Sequence, residues 1–209
     1  MNCILCQSPL THQIDSHYYQ CSRCYAYVKD VAYYFSEAQE KQHYEFHNND
    51  VNDLGYQKFT SPITNEILHR FSTDTLGLDF GCGKGPVITK QLVDRGYHVN
   101  LYDPYFYPDQ SYAHAVYDYI FSCEVFEHFY QPAKEIAHLK SLLKPGGLLL
   151  IMTHLYQEQV PFNSWYYRKD ETHVFIYTPQ TIAYIAQQFD FEILKLSERF
   201  IVLASRNRN

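Results

Sequence analysis

From Leu76 onwards, short apolar runs alternate with amphipathic stretches. LGLDF (76–80), HVNLYD (98–103), YDYIFS (117–122) and LLLIMT (148–153) are compact apolar runs rich in aliphatic and aromatic residues, which predicts strands. Between them, ITKQLVDRG (88–96) has helical spacing and stops at Gly96, and the segment 124–143 reads as mainly helical before a PGG turn at 145–147. Thr178-Pro179 opens a last helix, and FEILKL and FIVLAS predict two closing strands. Upstream, Ser36 followed by Gln39 reads as a capping box opening a helix of about 12 residues. Ser61-Pro62 opens the next, with Ile63, Ile67, Leu68 and Phe71 at helical spacing.

Such alternation predicts an α/β fold: a doubly wound, mostly parallel sheet with helices on both faces. The rhythm breaks twice. Only residues 104–116 separate Asp103 from the strand at Tyr117, too few for a helix plus a strand, so the third βα unit is shortened. Residues 154–177 are long, aromatic and irregular, and loops of this length in a compact domain usually carry function.

Composition narrows the classes. With 209 residues, 46% hydrophobic and 17% aromatic, the chain suits one packed domain with a small appendage. Seventeen basic against 23 acidic residues give a net charge of −6, which disfavours nucleic acid as a partner. No apolar run reaches the roughly 18 residues of a membrane span. The opening MNCILCQSPLTHQ lacks the basic flank and apolar core of a secretory signal, so a cytoplasmic location is expected.

The cysteines change the picture at the N-terminus. Cys3, Cys6, Cys21 and Cys24 form two C-x-x-C pairs separated by 14 residues, whereas Cys82 and Cys123 stand alone. Without a secretion signal the two pairs read as a metal site rather than disulfides. Four thiolates suit tetrahedral Zn2+ and leave no open coordination position, so the ion is structural. Residues 1–30 are therefore expected to form a zinc ribbon, and residues 31–209 the main domain. Tyr18, Tyr19, Tyr25, Tyr27 and Val28 would pack the ribbon on that domain. Its charges cancel (Arg23 and Lys29 against Asp15 and Asp30), whereas a ribbon gripping RNA would be basic.

In a doubly wound sheet the ligand sits at the carboxyl ends of the strands, usually after the first. LGLDF running into GCGKGP is that place. Its glycines allow a tight turn and close backbone approach, and Asp103 ends the next strand where a carboxylate can accept ribose hydroxyls. This much suits NAD and S-adenosylmethionine equally. The dinucleotide fingerprint G-x-G-x-x-G fails in both registers, because Pro86 and Ile88 occupy its last position. A Walker phosphate loop is absent.

LDFGCGKG resembles the first motif of class I S-adenosylmethionine-dependent methyltransferases, and LYDPYF, YDYIFSCEVFEHF and LKPGGLLLIMT follow in that family's order. The resemblance runs from about Tyr34 onwards. It is closest to zinc-ribbon-bearing bacterial members sharing H-N-N-D-x-x-D-x-G-Y near 47–56 and W-x-Y-x-x-D-x-T-H-V at 165–174. It implies a Rossmann-like sheet of the seven-stranded type and S-adenosylmethionine as cofactor. Carried over by position, Asp79 orders the glycine turn and reaches the cofactor amine through water. Gly81 and Gly83 let the backbone approach the methionine part. Asp103 binds the ribose, Pro104 flanks the adenine, Cys123 and Glu124 border the sulfonium, and Tyr56 closes over the carboxylate. The shortened third unit departs from the family's course at its adenine-contacting acid, for which Asp109 is a candidate.

Methyl transfer requires an acceptor held in line with the methyl group and, for hydroxyls, removal of a proton. His128 and His173 are the natural bases at the strand ends. Trp165, Tyr166, Tyr167 and His173 are expected to line the acceptor cleft. His43 and His47, four apart with Glu45 between them, lack a third ligand and read as polar surface. Three functions stay open: transfer to a small, aromatic or sugar-like acceptor; transfer to RNA or protein held by the ribbon; and a non-enzymatic S-adenosylmethionine-binding module.

Overall fold

Two sheets share the chain. The smaller is built from β1 (His12–Gln13), β2 (Tyr18–Gln20) and β3 (Tyr27–Lys29), and its fourth strand is Phe175–Ile176, from far along the sequence. Tyr27 pairs with Ile176 and Val28 with Phe175, antiparallel. The computed structural model describes residues 1–45 and 50–206.

The main body follows as α1 (Glu37–Glu45), α2 (Leu54–Arg70), β4 (Leu76–Phe80), α3 (Val87–Val93), β5 (His98–Tyr102), β6 (Tyr117–Cys123), α4 (Pro132–Leu142) and β7 (Leu143–Met152). Then come β8 (Phe175–Ile176, the strand just mentioned), α5 (Pro179–Gln188), β9 (Phe191–Leu196) and β10 (Phe200–Ser205). The large sheet has the order β5-β4-β6-β7-β10-β9, with β5, β4, β6 and β7 parallel and β10 antiparallel to both of its neighbours. Side-chain alternation sorts its two faces. Tyr119 and Phe121 pack with Ile63, Ile67 and Leu92 from α2 and α3, while Ile120 packs with Leu139, Ile182 and the ribbon residue Val28. The inner strands β4, β6, β7 and β10 are thus covered on both sides, as parallel sheets require, while the edge strands β5 and β9 stay partly open.

Several expectations are corrected. The sheet has six strands among the described residues, not the seven-stranded type. The missing strand is the shortened third unit, where a 3-10 turn, Gln110–His114, leads straight into β6. The helix expected at Ser61 begins at Leu54, capped by the Asp53 carboxylate on the Tyr56 N–H at 2.7 Å, and Pro62 lies inside it. Proline removes the N–H that the Lys58 carbonyl would accept, and the Ser61 hydroxyl donates to that carbonyl instead, at 2.8 Å. The helix expected over 124–143 splits into a 3-10 turn, Phe126–His128, and α4. The PGG turn is a bulge inside β7, since Leu143 faces Tyr117 but Leu148 faces Tyr119. At the start of α1, the Gln39 side chain accepts the Ser36 N–H at 2.9 Å, half of the expected capping box. The rest of that predicted helix, with His47, Asn48 and Asn49, lies outside the described residues.

Candidate active site

The carboxyl ends of β4, β5 and β6 open into a cavity of about 740 Å3. Tyr56, Gly81, Gly83, Asp103, Pro104, Cys123, Glu124, His128 and His173 all line it, as does Tyr44 from α1. Residues as far apart in sequence as Tyr44 and His173 therefore meet at the carboxyl ends of the strands.

The glycine turn explains its own composition. Gly81 has φ +80°, and a Cβ there would sit 2.5 Å from Val125 Cγ2. Its N–H and that of Cys82 donate to the Tyr102 carbonyl, at 2.8 and 3.1 Å, tying the turn to β5. Asp103 completes the tie. One carboxylate oxygen accepts the Gly83 N–H at 2.9 Å, and the other accepts the N–H groups of Tyr105 and Phe106. A carboxylate offers about four acceptor positions, so room remains for a ribose hydroxyl.

Asp79 does not line the cavity. It is buried beneath the turn and accepts the Thr89 hydroxyl at 2.7 Å, which fastens β4 to α3. Burial pushes its carboxyl up to about 7, against the Thr89 hydrogen bond. Asp109 is exposed, caps the Gln110–His114 turn through Ser111, and is likewise absent from the cavity wall.

The acceptor side is built differently. Glu124 ends β6 at φ +54°, a strained conformation for a residue with a side chain. Its Oε1 is buried without a hydrogen bond, and burial together with the Glu127 charge pushes its carboxyl up to about 8. Glu127 is fully buried; it accepts hydrogen bonds from Thr153 (2.8 Å) and Tyr167 (2.5 Å), and burial pushes it up to about 7. His128 donates Nδ1–H to the Thr172 carbonyl at 3.1 Å, and His173 donates Nδ1–H to the Tyr167 carbonyl at 2.7 Å. These bonds fix both tautomers, leaving the Nε2 lone pairs toward the cavity. Burial lowers the proton affinity of both rings. For His173, burial and then the neighbouring His128 bring it down to about 3.

The irregular stretch divides its aromatic residues. Tyr166, Tyr167 and His173 reach the cavity. Trp165, expected there too, is buried with Tyr18, Tyr27, Tyr156 and Phe162 in a cluster between stretch and ribbon. The N-terminal segment that carries the four cysteines grips this stretch from behind. Tyr18 Oη donates to the His173 carbonyl at 2.6 Å, Lys29 N–H to the Val174 carbonyl at 2.9 Å, and Arg168 pairs with Asp15 at 2.6 Å.

In the ribbon, Cys3, Cys6, Cys21 and Cys24 are buried, with Sγ atoms of all four within 4.8 Å of one another. Both knuckles close alike. Gln7 N–H reaches the Cys3 carbonyl and Tyr25 N–H the Cys21 carbonyl, each at 2.9 Å, and both residues have φ +61°. The facing sulfurs, 3.5 Å (Cys3–Cys24) and 3.4 Å (Cys6–Cys21) apart, are close to the ~3.8 Å that four ~2.3 Å bonds to one tetrahedral ion produce.

Residues 55–196 match the family model described as a methyltransferase domain, which is well over half of the chain. The chain belongs to this methyltransferase family. The methyltransferase also resembles solved structures. One is 1,6-didemethyltoxoflavin-N1-methyltransferase from Burkholderia thailandensis, solved with its substrate and S-adenosylhomocysteine (13% identity, TM-score 0.57, 95% of this chain and 100% of that one). A second is magnesium protoporphyrin IX methyltransferase from Synechocystis with S-adenosylhomocysteine (14%, 0.51, 84% and 97%). A third is the pyocyanin biosynthetic protein PhzM (12%, 0.53, 71% of this chain), of whose length the chain spans only 56%. At these identities the likeness is one of fold. No protein of curated function matches the sequence. Among the described residues of the methyltransferase, no helix is long and apolar enough to cross a membrane.

Sequence reasoning missed Glu40, Glu127 and Asp170. Glu127 had a local signal, since Glu124-x-x-Glu127-His128 leaves the end of a strand as one acidic–histidine run. Glu40 had none: it enters the cavity wall on α1 and accepts hydrogen bonds from Tyr105 and Tyr130.

Proposed function

We propose that this methyltransferase moves the methyl group of S-adenosylmethionine to a small-molecule acceptor. The observation that carries this reading is the single cavity at the strand ends. Its volume of about 740 Å3 suits a cofactor with a small partner, and its two halves differ in chemistry. Asp103, Gly81, Gly83, Pro104 and Tyr56 would hold the cofactor's polar and adenine parts. Cys123 and Glu124 would border its sulfonium, and Asp79 would keep the turn in place from below. The cofactor supplies an activated methyl group; the chain's work is to align the acceptor and exclude water.

His128 and His173 line the cavity and would face the acceptor. Their lowered proton affinity makes them weak bases, and Glu124, raised to about 8, is largely protonated at neutral pH and would take a proton only through its ionised fraction. Tyr166 and Tyr167 would stack on an aromatic or sugar-like ring. The net charge of −6 supports a small acceptor over RNA.

The four cysteines fit Zn2+ in donor type and spacing, and none lines the cavity, which supports a structural ribbon over residues 1–30 beside a catalytic unit over 31–209. Metal analysis should find one zinc per chain, lost in the double variant Cys21→Ser/Cys24→Ser. The free thiols of Cys82 and Cys123 suit a reducing compartment, hence the cytoplasm.

Calorimetric titration with S-adenosylhomocysteine and with NAD tests the reading. Binding of the first alone, weakened in Asp103→Ala, is expected. Binding of neither would sink it, and labelled methyl transfer to small molecules rather than RNA or protein would then fix the acceptor class.

A further inference from the structure

We propose that Glu127, His128 and His173 bind a divalent transition-metal ion at the acceptor end of the cavity, where the ion would hold an oxygen atom of the acceptor. Three acceptor atoms converge there within 4.8 Å of one another, and the donor that reaches them is the Tyr167 hydroxyl on Glu127 Oε1. Each histidine gives its Nδ1–H to a backbone carbonyl, so each Nε2 presents a lone pair. Both Nε2 atoms stand 4.0 Å from the same Glu127 oxygen, Oε1. The rings lie edge to face with centroids 4.9 Å apart, so the lone pairs share one space. Asp170 adds a fourth oxygen, its Oδ2 3.9 Å from His173 Nε2, while its Oδ1 is held by Thr172.

Glu127 makes the case for a cation. It is fully buried, and among the described residues no lysine or arginine pairs with it. A buried carboxylate is costly unless a positive partner or a metal accompanies it. The backbone bonds of the two histidines and the Tyr167 and Thr153 hydroxyls on Glu127 are the outer partners that orient ligands around a metal. Bonds of about 2.1 Å place neighbouring ligand atoms roughly 3.0–3.4 Å apart, so the cluster needs to contract by well under an ångström per ligand. Two imidazoles and carboxylates suit Mn2+, Fe2+ or Zn2+ better than they suit Mg2+. His128, His173 and Asp170 line the cavity, so an ion held there keeps positions open toward the acceptor. The acceptor class that follows has a hydroxyl, carboxylate or paired oxygens to offer the ion. This last part rests on the methyl-transfer reading; the ion site does not.

The test uses the full chain with its ribbon already loaded with zinc, titrated with Mn2+ and followed by paramagnetic resonance of the free ion. One Mn2+ site per chain is expected, weakened more than about 100-fold in Glu127→Gln, a larger loss than outer-shell partners cause. His128→Gln, on the cavity wall, serves as a second variant should the buried one fail to fold, which S-adenosylhomocysteine calorimetry reports. Absence of Mn2+ binding in the wild type, or equal binding in the folded variants, overturns the proposal and leaves the cluster as a proton-sharing network. Mn2+ binding lost in the variants, in a protein that binds no S-adenosylhomocysteine, would keep the ion site and remove the methyl-transfer reading.

Discussion

The two halves of the cavity are built on opposite plans. The glycine-turn half is made from consecutive strand ends of a parallel sheet, locked by backbone hydrogen bonds from Gly81, Cys82 and Gly83 to residues of β5 and its end. The other half is an irregular stretch whose shape comes from contacts with another part of the chain, the ribbon, through Tyr18, Lys29 and Arg168. One half is fixed by local geometry and the other by distant packing. A cofactor common to a fold can be met by the first plan, whereas an acceptor that differs from enzyme to enzyme is better met by the second.

The largest blow to the first half should come from Gly81→Ala. A left-handed backbone and a contact of 2.5 Å with Val125 together cost about 3 kcal/mol, which lowers the melting temperature by roughly 8 °C, and S-adenosylhomocysteine binding should be lost. Asp103→Ala comes next, removing a charged acceptor worth about 1.5–3 kcal/mol and weakening S-adenosylhomocysteine about 10–100-fold in calorimetry, with Mn2+ binding unchanged.

A pH scan sharpens the comparison. Asp79 titrates near 7 and Glu124 near 8 in the folded chain, both raised by burial, so each favours the fold while protonated. Unfolded carboxyls are already ionised above about 5, while the lowered histidines are neutral in the fold and shed their unfolded-state protons around pH 6.5, which offsets part of the fall. Stability should therefore fall as pH rises from 6.5 to 8, by about 1 kcal/mol per carboxyl before that offset, or roughly 3–5 °C in melting temperature overall. Asp79→Asn should flatten the slope. The smallest change is Tyr18→Phe. Losing its bond to the His173 carbonyl should cost about 1 kcal/mol and lower turnover severalfold without altering S-adenosylhomocysteine affinity. If that affinity fell as well, the two halves would not be separable.

The same contrast governs what could be read in the chain beforehand. The glycine turn, Asp103 and the cysteine knuckles were legible because a few adjacent residues carry their geometry. Pro62 misled because its preference for a first helical turn hides the Ser61 hydroxyl that replaces its missing N–H. Trp165 could not be told from Tyr167 by spacing, since one packs inward and the other reaches the cavity from the same short segment. The pairing of Glu127 with His173 depends on how the stretch folds back over β6, which no local pattern encodes. The absent seventh strand, by contrast, was foreshadowed by the short gap after Asp103.

The pairing of β3 with β8 also sets a timetable. The cysteine knuckles and the first three strands of the small sheet are made early, but the last strand follows roughly 150 residues later. At about 5–20 residues per second, translation leaves that edge uncovered for on the order of 10–30 s. A bound metal ion would give the ribbon a reason to hold its shape through that interval, before the strand that completes it exists.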